Sequence, residues 1–349
     1  MQQASLCPQG LTRRRMAMAL PLLGSMFCGA GAAAGAREAS ERSTRPLMGT
    51  QVDMVAAGPD RLLLREAMDR AYAEMQRLEA LMSRYQPRSV VSRINLAAGI
   101  VPVAVPPEVM AVLQSAQRVS AMSRGAFDVT VGALKSWNFG PGEKVVPGAH
   151  EIARQLPLVD ARGLALDTPA GTAFLARQGM ALDLGGIAKL PILEAGMQVL
   201  RAQGVENALI NGGGDVLTQG QWQGRPWRVG LRDPRAPERL LGVVAVAGTG
   251  VVASSGDYER CFFYEGQRQH HVLNPHTGRP TSGVHGVSMV ARDVAAVNGL
   301  GAALMVQGPQ VGRALAQQRM PGLAVLIAGL DGGVWQSAAM SALLEPATS

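Results

Sequence analysis

Between Cys261 and Leu273 the chain has room for little except a β-hairpin. Glu265-Gly266 is a two-residue turn signal, and the runs beside it, Cys261 to Tyr264 and His270 to Leu273, are expected to pair across it. The hairpin sits inside a polar stretch, residues 254–280, that holds His270, His271 and His276, three of the five histidines in the protein. Such density stands out in a chain of which only 17% is charged. Histidine moves protons near neutral pH more readily than any other side chain. A polar surface hairpin and a proton-transfer site both account for the stretch at this point.

The first 36 residues have the layout of an export signal and are set aside from the fold. Thr12-Arg13-Arg14-Arg15-Met16 precedes an apolar run from Ala17 to Phe27, then small residues ending Ala34-Gly35-Ala36. The arginines permit a twin-arginine route, and the expected destination is the periplasm. Cys28 does not make a lipoprotein signal, because Ser25-Met26-Phe27 lacks the residues such a site needs. Losing this segment removes three arginines from a net charge of +7, and with them the electrostatic case for nucleic acid. Aromatics, at 4%, are too scarce for a base-stacking platform. It also removes Cys7 and Cys28, leaving Cys261 alone, so no internal disulfide or cysteine-rich metal site is expected in the processed chain. No later apolar stretch has transmembrane length, so no transmembrane anchor is expected.

Beyond the signal, residues 37–46 read as a disordered leader, 47–340 as the folded domain and 341–349 as a tail. A strand is expected from Leu47 to about Ala56. A long amphipathic helix over 61–84 follows, with Leu64, Met68, Ala71, Met75, Leu78 and Met82 on its buried stripe. Ser89 to Asn95 reads as a polar connection, and a helix starts at Pro106-Pro107-Glu108. Residues 139–150 read as a loop. A helix follows Lys189 and ends near Gly204. Strands are expected at Ala208–Asn211 and Trp227–Leu231, with a strand pair over Val243–Val252 turning at Gly248. Helices over 293–307 and 309–318 and strands at 323–327 and 333–338 complete the chain. Strands and helices mix without regular βα alternation, which predicts an α+β fold with mixed, mostly antiparallel sheets and packed helices.

Four glycine-rich elements pair close-approach backbone with a polar group: Ala126–Gly132, Asp183–Lys189, Asn211–Asp215 and Ser254–Asp257. Lys189, after two glycines at a helix start, suits a phosphate. None of the four fits Gly-x-Gly-x-x-Gly or the Walker A spacing. Any one alone is most simply a tight turn; four together with the histidine hairpin point to a nucleotide-like ligand.

These motifs resemble, in order, those of the FAD:protein FMN transferases, the ApbE family. They are Met48-Gly49-Thr50, Met82-Ser83-x-Tyr85, Gly125-Ala126-Phe127-Asp128-x-Thr130-Val131-Gly132, Leu182-Asp183-Leu184-Gly185-Gly186-Ile187-Ala188-Lys189, Gly213-Gly214-Asp215 and Ser255-Gly256-Asp257-Tyr258-Glu259-Arg260. His271-Val272-Leu273-Asn274-Pro275-x-Thr277-Gly278 is similar to the family's His-Ile-Ile-Asp-Pro-x-Thr-Gly. The resemblance implies an exported enzyme with FAD bound in a cleft between subdomains. That enzyme transfers FMN to a threonine or serine of a target protein and releases AMP. It implies FAD contacts at Met48, Tyr85, Ala126, Phe127, Asp128, Asp183, Lys189, Asp215, Ser255, Gly256, Asp257 and Val272, with His271 as general base. It further implies Mg²⁺ at Gly186, Asn298 and Ala302.

The chain departs from the family pattern at the metal. The family's Ala-Asp-Ala-Leu-x-Thr-Ala-Leu stands here as Val297-Asn298-Gly299-Leu300-Gly301-Ala302-Ala303-Leu304. Asn298 offers a neutral carbonyl in place of a carboxylate, Ala302 offers no side-chain oxygen, and Gly186 offers only its backbone. A weakened metal site is therefore expected. Two other readings follow from the departure: a non-catalytic FAD-binding carrier, and an FAD pyrophosphatase in which water replaces the acceptor.

Overall fold

A computed structural model describes residues 5–6, 39–140 and 142–347. The expected signal segment lies outside the described residues apart from Ser5–Leu6, which forms a short strand β1. In chain order there follow β2 (Ala39–Leu47), β3 (Thr50–Gly58), α1 (Arg61–Met82), α2 (Val90–Leu96), β4 (Val103–Ala104), α3 (Pro107–Met122), α4 (Ala149–Gln155), β5 (Leu164–Asp167) and β6 (Thr172–Leu175). The second half carries α5 (Lys189–Ala202), β7 (Asn207–Gly212), β8 (Asp215–Gln219), β9 (Trp227–Asp233), β10 (Ala236–Val246), β11 (Gly250–Gly256), β12 (Cys261–Tyr264) and β13 (Gln267–His270). It ends with β14 (Val284–Ala291), α6 (Leu300–Arg319), β15 (Ala324–Gly329), β16 (Val334–Gln336), α7 (Ala338–Leu343) and β17 (Leu344–Glu345).

The frame is an eight-stranded sheet in the order β16-β15-β14-β11-β8-β7-β3-β2, with every neighbouring pair antiparallel. Its inner strands are apolar on both faces, and the alternation sorts the side chains into two layers. Val52, Met54, Ala56, Ile210, Leu217, Val251, Ala253, Met289, Val325 and Ile327 face the helices, where they join the stripes of α1, α3 and α5 in one core. Val55, Leu209, Val216, Val252 and Leu326 face the other way and pack on Trp227, Val229, Leu231 and Val244 of a small sheet, β17-β10-β9. The result is helix on sheet on sheet, the α+β architecture expected. A third small sheet, β4-β6-β5, lies beside α3.

Several boundaries differ from the sequence reading, each for a local reason. Residues 39–46 are no disordered leader: they form edge strand β2, paired with β3 from Ala39↔Gly58 to Leu47↔Thr50. Residues 341–345 likewise continue α7 and form β17 rather than a tail. Ser89 to Asn95 is not a connection; Ser89 accepts from Ser92 N at 2.9 Å and caps α2. The Val243–Val252 pair turning at Gly248 does not exist as a pair, because β10 and β11 belong to different sheets. The break between the last two helices falls at Gly308, whose φ of 74° and ψ of 178° interrupt α6. The first of them starts only at Leu300, after a single 3₁₀ turn at Val294–Ala296. The hairpin is present, but its second arm is Gln267–His270, with Cys261 opposite His270. Both turn residues are left-handed, Glu265 at φ 50° and Gly266 at φ 72°, as a two-residue turn requires. Cys7 and Cys28 lie outside the described residues, and with them the expectation for the processed chain. Among the described residues no helix is long and apolar enough to cross a membrane.

Candidate functional site

The site is assembled where loops from both halves of the chain meet. The two glycine-rich loops press backbone against backbone: Asp183 N donates to Val129 O at 2.7 Å, and Val131 bridges Ala181. Gly132 is required there, since a Cβ would stand 2.5 Å from the Ala181 carbonyl oxygen. Asn95 clamps the second loop from the side, donating to Leu182 O at 3.0 Å and accepting from Leu182 N at 2.6 Å. The Asn274–Gly278 turn closes on the first loop. Trp137 Nε1 donates to Gly278 O at 2.8 Å, and the His276 ring lies against Gly125.

The carboxylates named in the sequence analysis are largely committed within the protein. Asp128 accepts from Thr130 N at 2.7 Å, Thr130 Oγ1 at 2.6 Å and Ala161 N at 2.8 Å. Burial nonetheless pushes its carboxyl pKa up. Asp183 accepts from Arg84 Nη1 and from Gly185 N, both at 2.8 Å. Asp215 holds Lys189 Nζ at 3.0 Å and accepts from Ser254 N at 3.0 Å. Asp257 accepts from Arg268 Nη1 at 2.7 Å, and its other oxygen lies 2.8 Å from His285 Nδ1. Asp128 therefore ties its own loop to Ala161, while the other three each neutralise a cation brought from a different element. Ala126 and Phe127 are buried, and Phe127 packs under Gly186.

What remains open is basic and polar. Arg260 is exposed, crosses to the Met48–Gly49 turn with Nη2 3.4 Å from Met48 O, and makes no ion pair among the described residues. That turn is left-handed at both positions, φ 53° at Met48 and 70° at Gly49, and is held by Met48 N donating to Glu79 Oε1 at 2.9 Å. Tyr85 is 73% exposed, a free aromatic face with the Arg84 guanidinium above it. Val272 is half-buried beside the hairpin, and its carbonyl accepts from Thr281 N at 2.9 Å. Ser255 points at the first turn of α6, where a Cβ on Gly301 would meet its hydroxyl, and Gly256 lies under the Tyr258 ring.

The histidines separate by environment. His270 is buried and its Nε2 donates to Thr281 O at 3.0 Å; burial lowers its pKa. His276 is an exposed turn residue. His271 leaves the hairpin, donates its N–H to Arg260 O at 3.2 Å, and opens to solvent. The dense protein around it, then the charge on Arg260, push its pKa down, with His270 and Lys189 adding smaller effects. These causes favour the neutral imidazole, which can accept a proton.

Sequence reasoning missed Arg84, Arg268 and His285. Arg84 occupied the variable place in Met82-Ser83-x-Tyr85, and His285 lies in a strand the reading did not foresee. The Asp257 partners carry no spacing signal, because they come together only when β11, β13 and β14 converge. A separate cavity of about 580 Å³, lined in part by Val246, Arg292, Met320 and Leu343, includes none of the expected site residues.

The metal position does not fit the expectation. Asn298 is buried and its Nδ2 donates to Ile187 O at 2.9 Å. Ala302 has no donor oxygen, Gly186 has no side chain, and no group of three or more His, Cys, Asp or Glu among the described residues could hold a metal ion. These residues do not make a Mg²⁺ site.

A fold of this kind is found in solved flavin transferases. The ApbE family model matches residues 48–327, and the chain belongs to that family. It is 31% identical over 333 residues to an FAD:protein FMN transferase of Treponema pallidum, covering 90% of this chain and 91% of that one. A Klebsiella pneumoniae FAD:protein FMN transferase is 39% identical over 213 residues, covering 60% of this chain and 66% of the relative. Among solved structures, the ApbE protein of Thermotoga maritima superposes with a TM-score of 0.81 at 30% identity, covering 88% of this chain and all of that one. The flavin transferase ApbE of Vibrio cholerae gives 0.76 at 27% identity, with the same coverage.

Proposed function

We propose that this protein transfers FMN from FAD to a threonine or serine hydroxyl of a target protein and releases AMP. The observation that carries the reading is the exposed His271 held by its backbone N–H on the Arg260 carbonyl, with the Arg260 side chain making no ion pair among the described residues. In this scheme the acceptor hydroxyl attacks the FMN phosphorus and its proton passes to the His271 imidazole. The new O–P bond forms as the pyrophosphate P–O bond breaks, and AMP leaves with the bond's electron pair. Arg260 lies near His271 and meets the negative charge of the phosphates, while Lys189 is held beside them by Asp215. Met48, Tyr85, Asp183 and Val272 would line the FAD; the exposed ring of Tyr85 offers a stacking face for one of its aromatic groups. Asp128, Asp215 and Asp257 would shape the site through the contacts described, and Ala126, Phe127, Ser255 and Gly256 would form its wall. Mg²⁺ is not assigned to Gly186, Asn298 and Ala302, and no step is routed through it. Export to the periplasm is part of the proposal and is supported by the Arg13-Arg14-Arg15 start and the apolar run after it.

Incubation with FAD and an acceptor protein of established competence should yield a band that fluoresces on a denaturing gel, with one AMP per flavin attached. AMP and free FMN without an acceptor would replace transfer by pyrophosphatase activity. FAD binding without AMP would replace it by a carrier role, the reading that the altered Asn298 and Ala302 positions favour.

A further inference from the structure

We infer that an internal hydrogen bond occupies the place of the divalent cation in this chain, and that its chemistry proceeds without a metal held by the protein. The inference rests on the transferase reading above. Its physical content lies in the contact between Asn298 and the Ile187 carbonyl. Nδ2 and O are 2.9 Å apart, and Asn298 is 4% exposed. Facing a carbonyl, the amide can present only its N–H₂ end, so the orientation is settled by the partner. An aspartate in the same rotamer would set a carboxylate oxygen at hydrogen-bond distance from a carbonyl oxygen. Two acceptors that close repel, and a cation between them would relieve the repulsion. Asparagine supplies a hydrogen where such an aspartate would call for an ion.

The surroundings reinforce the exchange. The backbone of Asn298 donates to Val294 O at 3.0 Å, so the residue is held from two sides. Gly299, at φ 78°, turns the chain directly into α6. Ala302, in the first turn of α6, packs its methyl group against the helix-side core, where a metal-binding residue would need an oxygen. The hydrogen bond thus joins the Asp183–Lys189 loop to the start of α6, a cross-link that a bridging ion would otherwise make. With no ion, positive charge at the pyrophosphate comes from Arg260, since Lys189 is already paired with Asp215.

Two measurements on the full-length protein decide the matter. Mg²⁺ is titrated calorimetrically into the FAD-loaded protein, with the heat of Mg²⁺ binding to free FAD subtracted. The natural chain should show no residual heat, whereas Asn298→Asp combined with Ala302→Thr should create a measurable site. Residual Mg²⁺ binding by the natural chain overturns the inference. In the labelling assay, replacing Mg²⁺ with EDTA should change the flavin band of the natural chain by less than about twofold, while the double variant should lose about tenfold or more. Loss of the natural chain's band in EDTA with recovery in Mg²⁺ also overturns it. A chain that never labels its acceptor in either buffer sinks the transferase reading, and the calorimetry then decides the metal question alone.

Discussion

His271 and Arg260 are joined through the backbone, His271 N to Arg260 O, which ties the proposed base to the cation beside it. This arrangement makes a pH prediction. A histidine with a lowered pKa is neutral above that pKa, so a reaction using it as base weakens only as pH falls through the lowered value. Transfer should therefore show no inflection at the ordinary histidine value of 6.5. Arg260→Gln removes one of the causes and should move the acid limb up toward 6.5 as well as slow the reaction, while His271→Ala should cost about 10²–10⁴-fold at all pH values with FAD binding retained. Rate–pH profiles of the three proteins check this. An unshifted limb in Arg260→Gln would show that Arg260 does not lower the His271 pKa. At this scale the sequence was informative about identity and less so about role. Asp128, Asp215 and Asp257 were legible as polar points beside glycines. Their use in binding Thr130, Lys189, Ser254, Arg268 and His285 was not, because it depends on neighbours up to 39 residues away.

The elements that hold these residues depend on close backbone packing more than on side chains. Gly132 is the sharpest case, with the Ala181 and Leu182 backbone at 2.5 to 2.7 Å from any added Cβ. Gly132→Ala must separate the Ala126–Gly132 and Asp183–Lys189 loops, and should lower stability by about 1–3 kcal/mol, in the range of an overpacked site. FAD affinity should fall with it. Urea unfolding and flavin fluorescence titration check the two halves, and an unchanged midpoint would show that the loops can part without cost. The helices were the most legible elements: the α1 stripe of Leu64, Met68, Ala71, Met75, Leu78 and Met82 is buried throughout. Strands were harder. Val284–Ala291 lies in the middle of the sheet with little exposed surface on either face, so it shows no polar alternation to read. Ala39–Leu47 failed for the opposite reason, being an edge strand whose partly exposed side chains resemble a leader.

For the whole molecule, the proposed route out of the cytoplasm is testable apart from catalysis. Expressed in a Gram-negative host, the protein should be recovered from the periplasmic fraction and shortened by roughly the signal length. Replacing Arg13 and Arg14 together with lysine should hold it in the cytoplasm if the twin-arginine route carries it, whereas unimpaired export would point to the ordinary secretory route.

The eight-stranded sheet has one more property. Read across from β2 to β16, its strands occur in the same order as in the chain, and β4–β6, β9–β10 and β12–β13 are excursions that leave the sheet and return to it. Each strand can therefore be laid beside the last one in place, with no later segment needed between them. The excursion carrying His271 is consequently an insertion between β11 and β14. The hairpin and its turn can therefore vary in evolution without reopening any pairing in the central sheet.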